Sequence, residues 1–161
     1  MRGPRRRRAH ACTSALLLAL GCGGPCGPIP GGRLSGIEQP YPARGFPALP
    51  DVERVAIEIG TEASYSVHTW VIVHRGELFV PADFFQPVKR WPHLAETTPT
   101  ARVRIGRKVY PGRLLRVRDP ETIQALRAAV ARKYGVEPGS WASRVEVWWF
   151  RFAPRETQSR R

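Results

Sequence analysis

The 161 residues predict a mainly β domain of the α+β class: a small six-stranded antiparallel barrel with one amphipathic helix covering an opening. Three features carry this. Runs of period-2 alternation recur between positions 52 and 152, Gly-centred turns join those runs in pairs, and a single capped helical stretch occupies 120–134.

The first strand, 52–59, sets Val55, Ile57 and Ile59 on one face and Arg54 and Glu58 on the other, the signature of a half-buried strand. Segments 67–73 and 77–82 flank His74-Arg75-Gly76, a tight hairpin in which Gly supplies the positive φ of the turn. A second hairpin pairs 101–105 with 108–118 across Gly106-Arg107, and Pro111-Gly112 predicts a bulge or bend in its later strand. Asp119-Pro120-Glu121 starts the helix: Asp caps free N–H groups, Pro fits the first helical position, and Glu suits the positive end of the dipole. Ile123, Leu126, Val130 and Tyr134 follow at helical spacing, and Gly135 ends the helix after Arg132 and Lys133. The last strand, 144–152, slips phase at Trp148-Trp149, which predicts burial on both sides. An open sheet backed by the helix is the alternative architecture. Strands arriving as hairpins, and an aromatic last strand that one helix covers poorly, favour the barrel.

Ahead of this domain, taken as 51–153, composition changes. Of the 29 residues from 22 to 50, 14 are Gly or Pro, with no apolar period, so a semi-extended tether is expected; 154–161 is a polar C-terminal tail. Arg2 and Arg5 to Arg8 precede ten uncharged residues, 11–20, which is the layout of a secretory signal peptide and too short for a membrane span.

Leu18-Ala19-Leu20-Gly21-Cys22 then resembles the lipobox of bacterial lipoproteins. The resemblance implies removal of residues 1–21, a thioether from Cys22 to diacylglycerol, and further acylation by chains such as palmitate. It places the protein in the bacterial cell envelope, bound to a membrane through its lipid and facing the periplasm or exterior. Two or three acyl chains hold far more firmly than one, each buried CH₂ contributing about 0.8 kcal/mol. The alternative is an ordinary signal peptide that leaves Cys22 and Cys26 free to pair. With Cys12 removed and Cys22 acylated, Cys26 alone remains, so neither a disulfide framework nor a zinc site is expected. Loss of the five signal arginines lowers the formal charge from +13 to +8.

One loop stands out chemically. Phe84-Phe85-Gln86-Pro87-Val88-Lys89-Arg90-Trp91-Pro92-His93-Leu94 places two cations beside an indole read as exposed, a combination suited to an anionic, aromatic ligand. Leu-Phe-Val-Pro-Ala at 78–82, Lys89-Arg90-Trp91 with Leu94, the paired run at 101–110, Arg-Val-Arg-Asp at 116–119 and Arg-Lys-Tyr-Gly at 132–135 together resemble the nitroreductase-like branch of the flavin and deazaflavin split-barrel proteins. The resemblance spans about 52–152. It implies a split barrel that binds flavin mononucleotide (FMN) or a deazaflavin in a groove at a homodimer interface. It also implies a phosphate contact from Lys89 and a ring contact from Trp91; Arg90 joins them on charge alone. The family's cofactor-binding members carry a Gly, a basic residue and Ser-Gly in the turn between the first two strands. Here that turn is Gly60-Thr61-Glu62-Ala63-Ser64-Tyr65, with an acid in place of the cation. On that ground Lys89, Arg90 and Trp91 read first as a solvated loop with one anchored aromatic, a binding or structural module ranks ahead of a reductase, and no catalytic residue is assigned.

His68, His74 and His93 lack metal-ligand spacing, and Ser64 and Ser66 lack a nucleophile elbow, so neither a metal site nor a hydrolase is expected. Arg102, Arg104, Arg107, Arg113, Arg116 and Arg118 read as a solvated face beside anionic lipid or polymer. Nucleic acid is not expected as a partner of an exported chain.

Overall fold

The computed structural model describes residues 24–60, 63–83, 89–137, 140 and 145–156. In chain order the elements are β1 (Ile37–Glu38), β2 (Arg54–Ile59), β3 (Tyr65–Trp70), β4 (Ile72–His74), β5 (Glu77–Asp83), α1 (Trp91–Thr97), β6 (Thr100–Ile105), β7 (Lys108–Val117), α2 (Pro120–Tyr134) and β8 (Val147–Ala153). Neighbouring strands run in the order β3-β2-β6-β7-β8-β5-β4, all antiparallel, with β1 parallel to β7.

The ends of that order explain the architecture. β3 and β4 are two halves of one strand separated by Val71, so the same segment pairs with β2 at one edge and with β5 at the other. The sheet therefore closes on itself as a six-stranded split barrel, as expected. Eight strands are named because the closing strand is divided and the short β1 is added. Val55, Ile57, Leu78, Val80, Val103, Leu114, Phe150 and Phe152 fill the interior.

Val71 would lose ladder partners at the division, and the end of α2 supplies them. The Tyr134 hydroxyl accepts from the Val71 N–H at 3.0 Å and lies 2.9 Å from the Val71 carbonyl and 2.7 Å from that of Glu53. Lys133 Nζ donates to the carbonyls of Leu49, Val52 and Val71 at 2.8, 2.8 and 3.0 Å. An ammonium has three donors, and all three are engaged.

α2 forms for the predicted reasons. Asp119 Oδ2 accepts from the Thr122 N–H at 2.7 Å, Pro120 opens the helix, and Gly135 ends it in the left-handed conformation at φ 64°. Leu126 and Val130 pack over Ile72, Phe79 and Trp149. Trp149 faces this helix while Phe150 and Phe152 point into the barrel, so β8 is covered on both sides. In the first hairpin both turn residues have positive φ, Arg75 at 51° and Gly76 at 78°.

Three expectations change. No break occurs at Pro111-Gly112, and β7 runs unbroken for ten residues. The Leu114 N–H donates to Pro99 O on the β6 side, so the nitrogen of Pro111 faces the opposite edge. No ladder pairing calls for an N–H on that edge there, because β1 pairs only as far as Val109 and β8 begins its pairing at Arg113. Gly112 lets the Phe152 ring cross the strand; a Cβ there would meet the ring at 2.4 Å.

Second, the Gly/Pro-rich stretch is not a free tether from Gly24 onward. It crosses the outside of the barrel as a strap: Gly31 exchanges two 2.8 Å backbone hydrogen bonds with Ser66, Leu34 is buried against Ala56 and Val109, and β1 adds to β7. Farther along, Phe46 packs with Tyr41, Tyr110 and Phe152. The glycines permit close approach here, since a Cβ on Gly31 would lie 2.1 Å from the Gly24 carbonyl oxygen.

Third, the outer face of β2 is covered. Glu58, expected in solvent, is 3% exposed beneath the strap. The signal segment and Cys22 lie outside the described residues, as do 84–88 of the aromatic loop.

Candidate functional site

The three residues expected to hold an anionic aromatic ligand come from the junction before α1, and they do not converge. Trp91 opens α1 with Pro92 behind it, and the spacing Trp91, Leu94, Ala95 turns one face of this helix into the barrel. Its indole is 2% exposed and packs on Phe150 at 5.2 Å between ring centroids. The expected exposed ring is thus a core residue. Lys89 forms an ion pair with Asp83 at the end of β5. Arg90 is exposed and sets its guanidinium over the Tyr65 ring at 5.6 Å. A flavin cradle needs a ring face and cations directed at one phosphate, and these described residues do not fit that requirement.

Polar chemistry gathers in three other places. Beneath the strap, Glu58 accepts from the Leu34 N–H (2.8 Å), Ser64 Oγ (2.8 Å) and Arg102 Nη1 (2.9 Å). Arg102 Nη1 also donates to the Leu34 carbonyl at 2.9 Å, and Ser66 Oγ donates to that of Gly32 at 2.6 Å. Both serines considered as nucleophiles are therefore structural donors. Arg102, read as solvated, is mostly buried in an ion pair.

The second cluster joins β7, β8 and α1. Arg116 lies 3.6 Å over the Trp148 ring and 3.7 Å from Glu96, which Arg118 meets at 2.8 Å; His93 stands edge-on to Trp148 at 5.1 Å. Burial holds the Arg116 guanidinium below its ordinary value, opposed by Glu96. The third is the Lys133–Tyr134 knot at the barrel closure. Burial lowers Lys133 from its ordinary value and raises Tyr134. A shallow cavity of about 420 Å³ opens beside it, between Leu49, Pro50, Ile72, Val73, Ala129 and Lys133. None of Lys89, Arg90 or Trp91 lines this cavity.

These clusters hold backbone and rings in place. His68 is exposed, with Nδ1 3.3 Å from the Gly27 carbonyl oxygen, and no group of three metal-ligating side chains occurs among the described residues. Sequence reasoning missed the strap latch because its partners lie 24 and 44 residues apart. The burial of Trp91 departs from the exposed ring of the cofactor reading and agrees with the plainer one of a loop with a single anchored aromatic, and the helical spacing to Leu94 and Ala95 carries that signal.

No protein-family model matches the chain, and no curated protein matches it. Among solved structures, a putative pyridoxamine 5'-phosphate oxidase from Listeria innocua superimposes with a TM-score of 0.49 at 10% identity, covering 64% of this chain and 84% of that one. A NimC/NimA family protein from Clostridium acetobutylicum gives 0.47 at 10% identity, covering 66% and 76%. An FAD-binding protein from Mesorhizobium loti gives 0.46 at 15% identity, covering 68% and 86%.

Proposed function

We propose that the protein is a lipid-anchored bacterial cell-envelope protein whose split barrel acts as a binding or structural module, not as a redox enzyme. The anchor reading is supported by the basic run, the ten-residue uncharged segment and the Leu-Ala-Leu-Gly that precede Cys22. The module reading is carried by Trp91, the one ring assigned to a cofactor, which the core of the barrel encloses.

The two halves fit together physically. Gly24 is buried against the barrel, and two residues span at most about 7 Å, so an acylated Cys22 holds the domain against the membrane surface, with no leash between them. The net charge of +8 left after signal removal favours an anionic leaflet. Cell fractionation of a Cys22→Ser variant, with labelled fatty acid supplied during growth, tests the anchor. The variant is expected to carry no label and to leave the membrane fraction in a high-salt wash; label and salt-resistant membrane association equal to the unsubstituted protein would contradict it.

A further inference from the structure

The outer side of the strap carries an unusual pairing of residues. Ile29 is 65% exposed and Ile37 55%, and with Trp70 they are the large apolar side chains left most open among the described residues. Both belong to a segment that already has an inward anchor, because Leu34 between them is buried with Ala56 and Val109. The isoleucines are thus directed away from the core by a strap fixed on its other side. Ile29 closes the turn from Cys26, with backbone hydrogen bonds of 3.1 and 2.9 Å in both directions, so its position is defined.

Exposed cations lie on the strap between them and beside Ile37. Arg33 is exposed on the strap; Arg107 in the β6–β7 turn and Lys108 at the start of β7 are exposed where β1 lies, with the Ile37 N–H donated to the Arg107 carbonyl at 2.8 Å and Ile37 in register with Lys108. The acid among them, Glu38, lies 3.4 Å from Arg102. Apolar side chains rimmed by cations match the layered chemistry of an anionic bilayer, with phosphates outside and acyl chains beneath.

We propose that the strap is a membrane-seating surface: Ile29 and Ile37 enter the headgroup boundary of an anionic phospholipid bilayer, and Arg33, Arg107 and Lys108 meet its phosphates. The orientation rests on the reading of Cys22 as lipidated, since the seating residues then begin within a few residues of the anchor. The strap fixes which side of the barrel faces the lipid, and α2 covers the β8–β5–β4 side.

The surface is testable without the anchor. The chain 22–161 carrying Cys22→Ser contains every described element, and its single thiol is the exposed Cys26, three residues from Ile29. An environment-sensitive fluorophore on Cys26 is titrated with vesicles of phosphatidylcholine alone or mixed with phosphatidylglycerol. The expected result is a blue shift and binding on the mixed vesicles, weakened by salt. Reversing Arg33, Arg107 and Lys108 to Glu should lower partitioning on the order of a hundredfold. Changing Ile29 and Ile37 to Ser should lower it roughly tenfold or more, with circular dichroism unchanged because all five positions are exposed. No binding to the mixed vesicles, equal binding to the neutral ones, or indifference to the charge reversals would overturn the proposal. Because the probe protein carries no lipid, these outcomes are independent of whether Cys22 is acylated in cells.

Discussion

Glu58 shows how one buried carboxylate can hold a segment of irregular backbone. Its two oxygens serve a backbone N–H, a hydroxyl and a guanidinium, so the ionised group is compensated where burial would otherwise exclude it. Glu58→Ala leaves Arg102 mostly buried with only the exposed Glu38 carboxylate at 3.4 Å and the Leu34 N–H without its acceptor, which should cost about 3 kcal/mol in urea unfolding. The double variant Glu58→Ala, Arg102→Met should recover part of that loss, because it removes the stranded charge. Faster hydrogen exchange at Leu34 in the single variant would locate the effect in the strap; unchanged exchange and stability would contradict the latch. In the sequence Glu58 is indistinguishable from a solvent-facing strand residue. Period-2 alternation reports which residues share a face, and says nothing of whether a distant segment later covers it.

Among elements, the closing strand and α2 depend on each other. Val71 interrupts the ladder between β3 and β4, and the Tyr134 hydroxyl and Lys133 ammonium satisfy its backbone. Burial raises the Tyr134 phenol, so the folded protein keeps that proton at a pH where the unfolded chain has lost it. The folded state then binds more protons, and stability falls as pH climbs through and above the ordinary tyrosine value of 10.0. Lys133, lowered by burial, acts in the opposite sense below its ordinary value of 10.5, but it is common to both proteins in a comparison with Tyr134→Phe. That variant should begin about 1 kcal/mol less stable and show a shallower alkaline decline. Parallel pH profiles in thermal unfolding would contradict the assignment. The helix itself was legible from Asp119, Pro120 and Gly135, and the hairpins from Gly76 and Gly106, because local chemistry decides those features. Closure was legible only as a preference, since the division of one strand at Val71 is made by contacts with residues 62–63 positions away.

For the whole molecule, composition misled where it counted glycine as freedom. Gly31 lies where its backbone meets that of Gly24 too closely for a Cβ, and Gly24 takes a φ of 128°, so the same residues that suggest an unpacked tether are those a tight strap requires. The trio Lys89, Arg90 and Trp91 misled in a related way: two cations made the loop look exposed, while the ring between them and Pro92 belongs to a helix that enters the barrel. Since that ring is enclosed, the chain from residue 22 should retain neither flavin mononucleotide nor a deazaflavin through gel filtration at micromolar cofactor. A stoichiometric yellow complex would contradict the module reading. The signal and anchor rest on residues 1–22 alone. Mass spectrometry of the N-terminal peptide from the membrane fraction tests them most directly. The expected peptide begins at Cys22 with a diacylglyceryl thioether on its sulphur, and one still carrying residues 1–21 with that thiol unmodified would contradict the anchor.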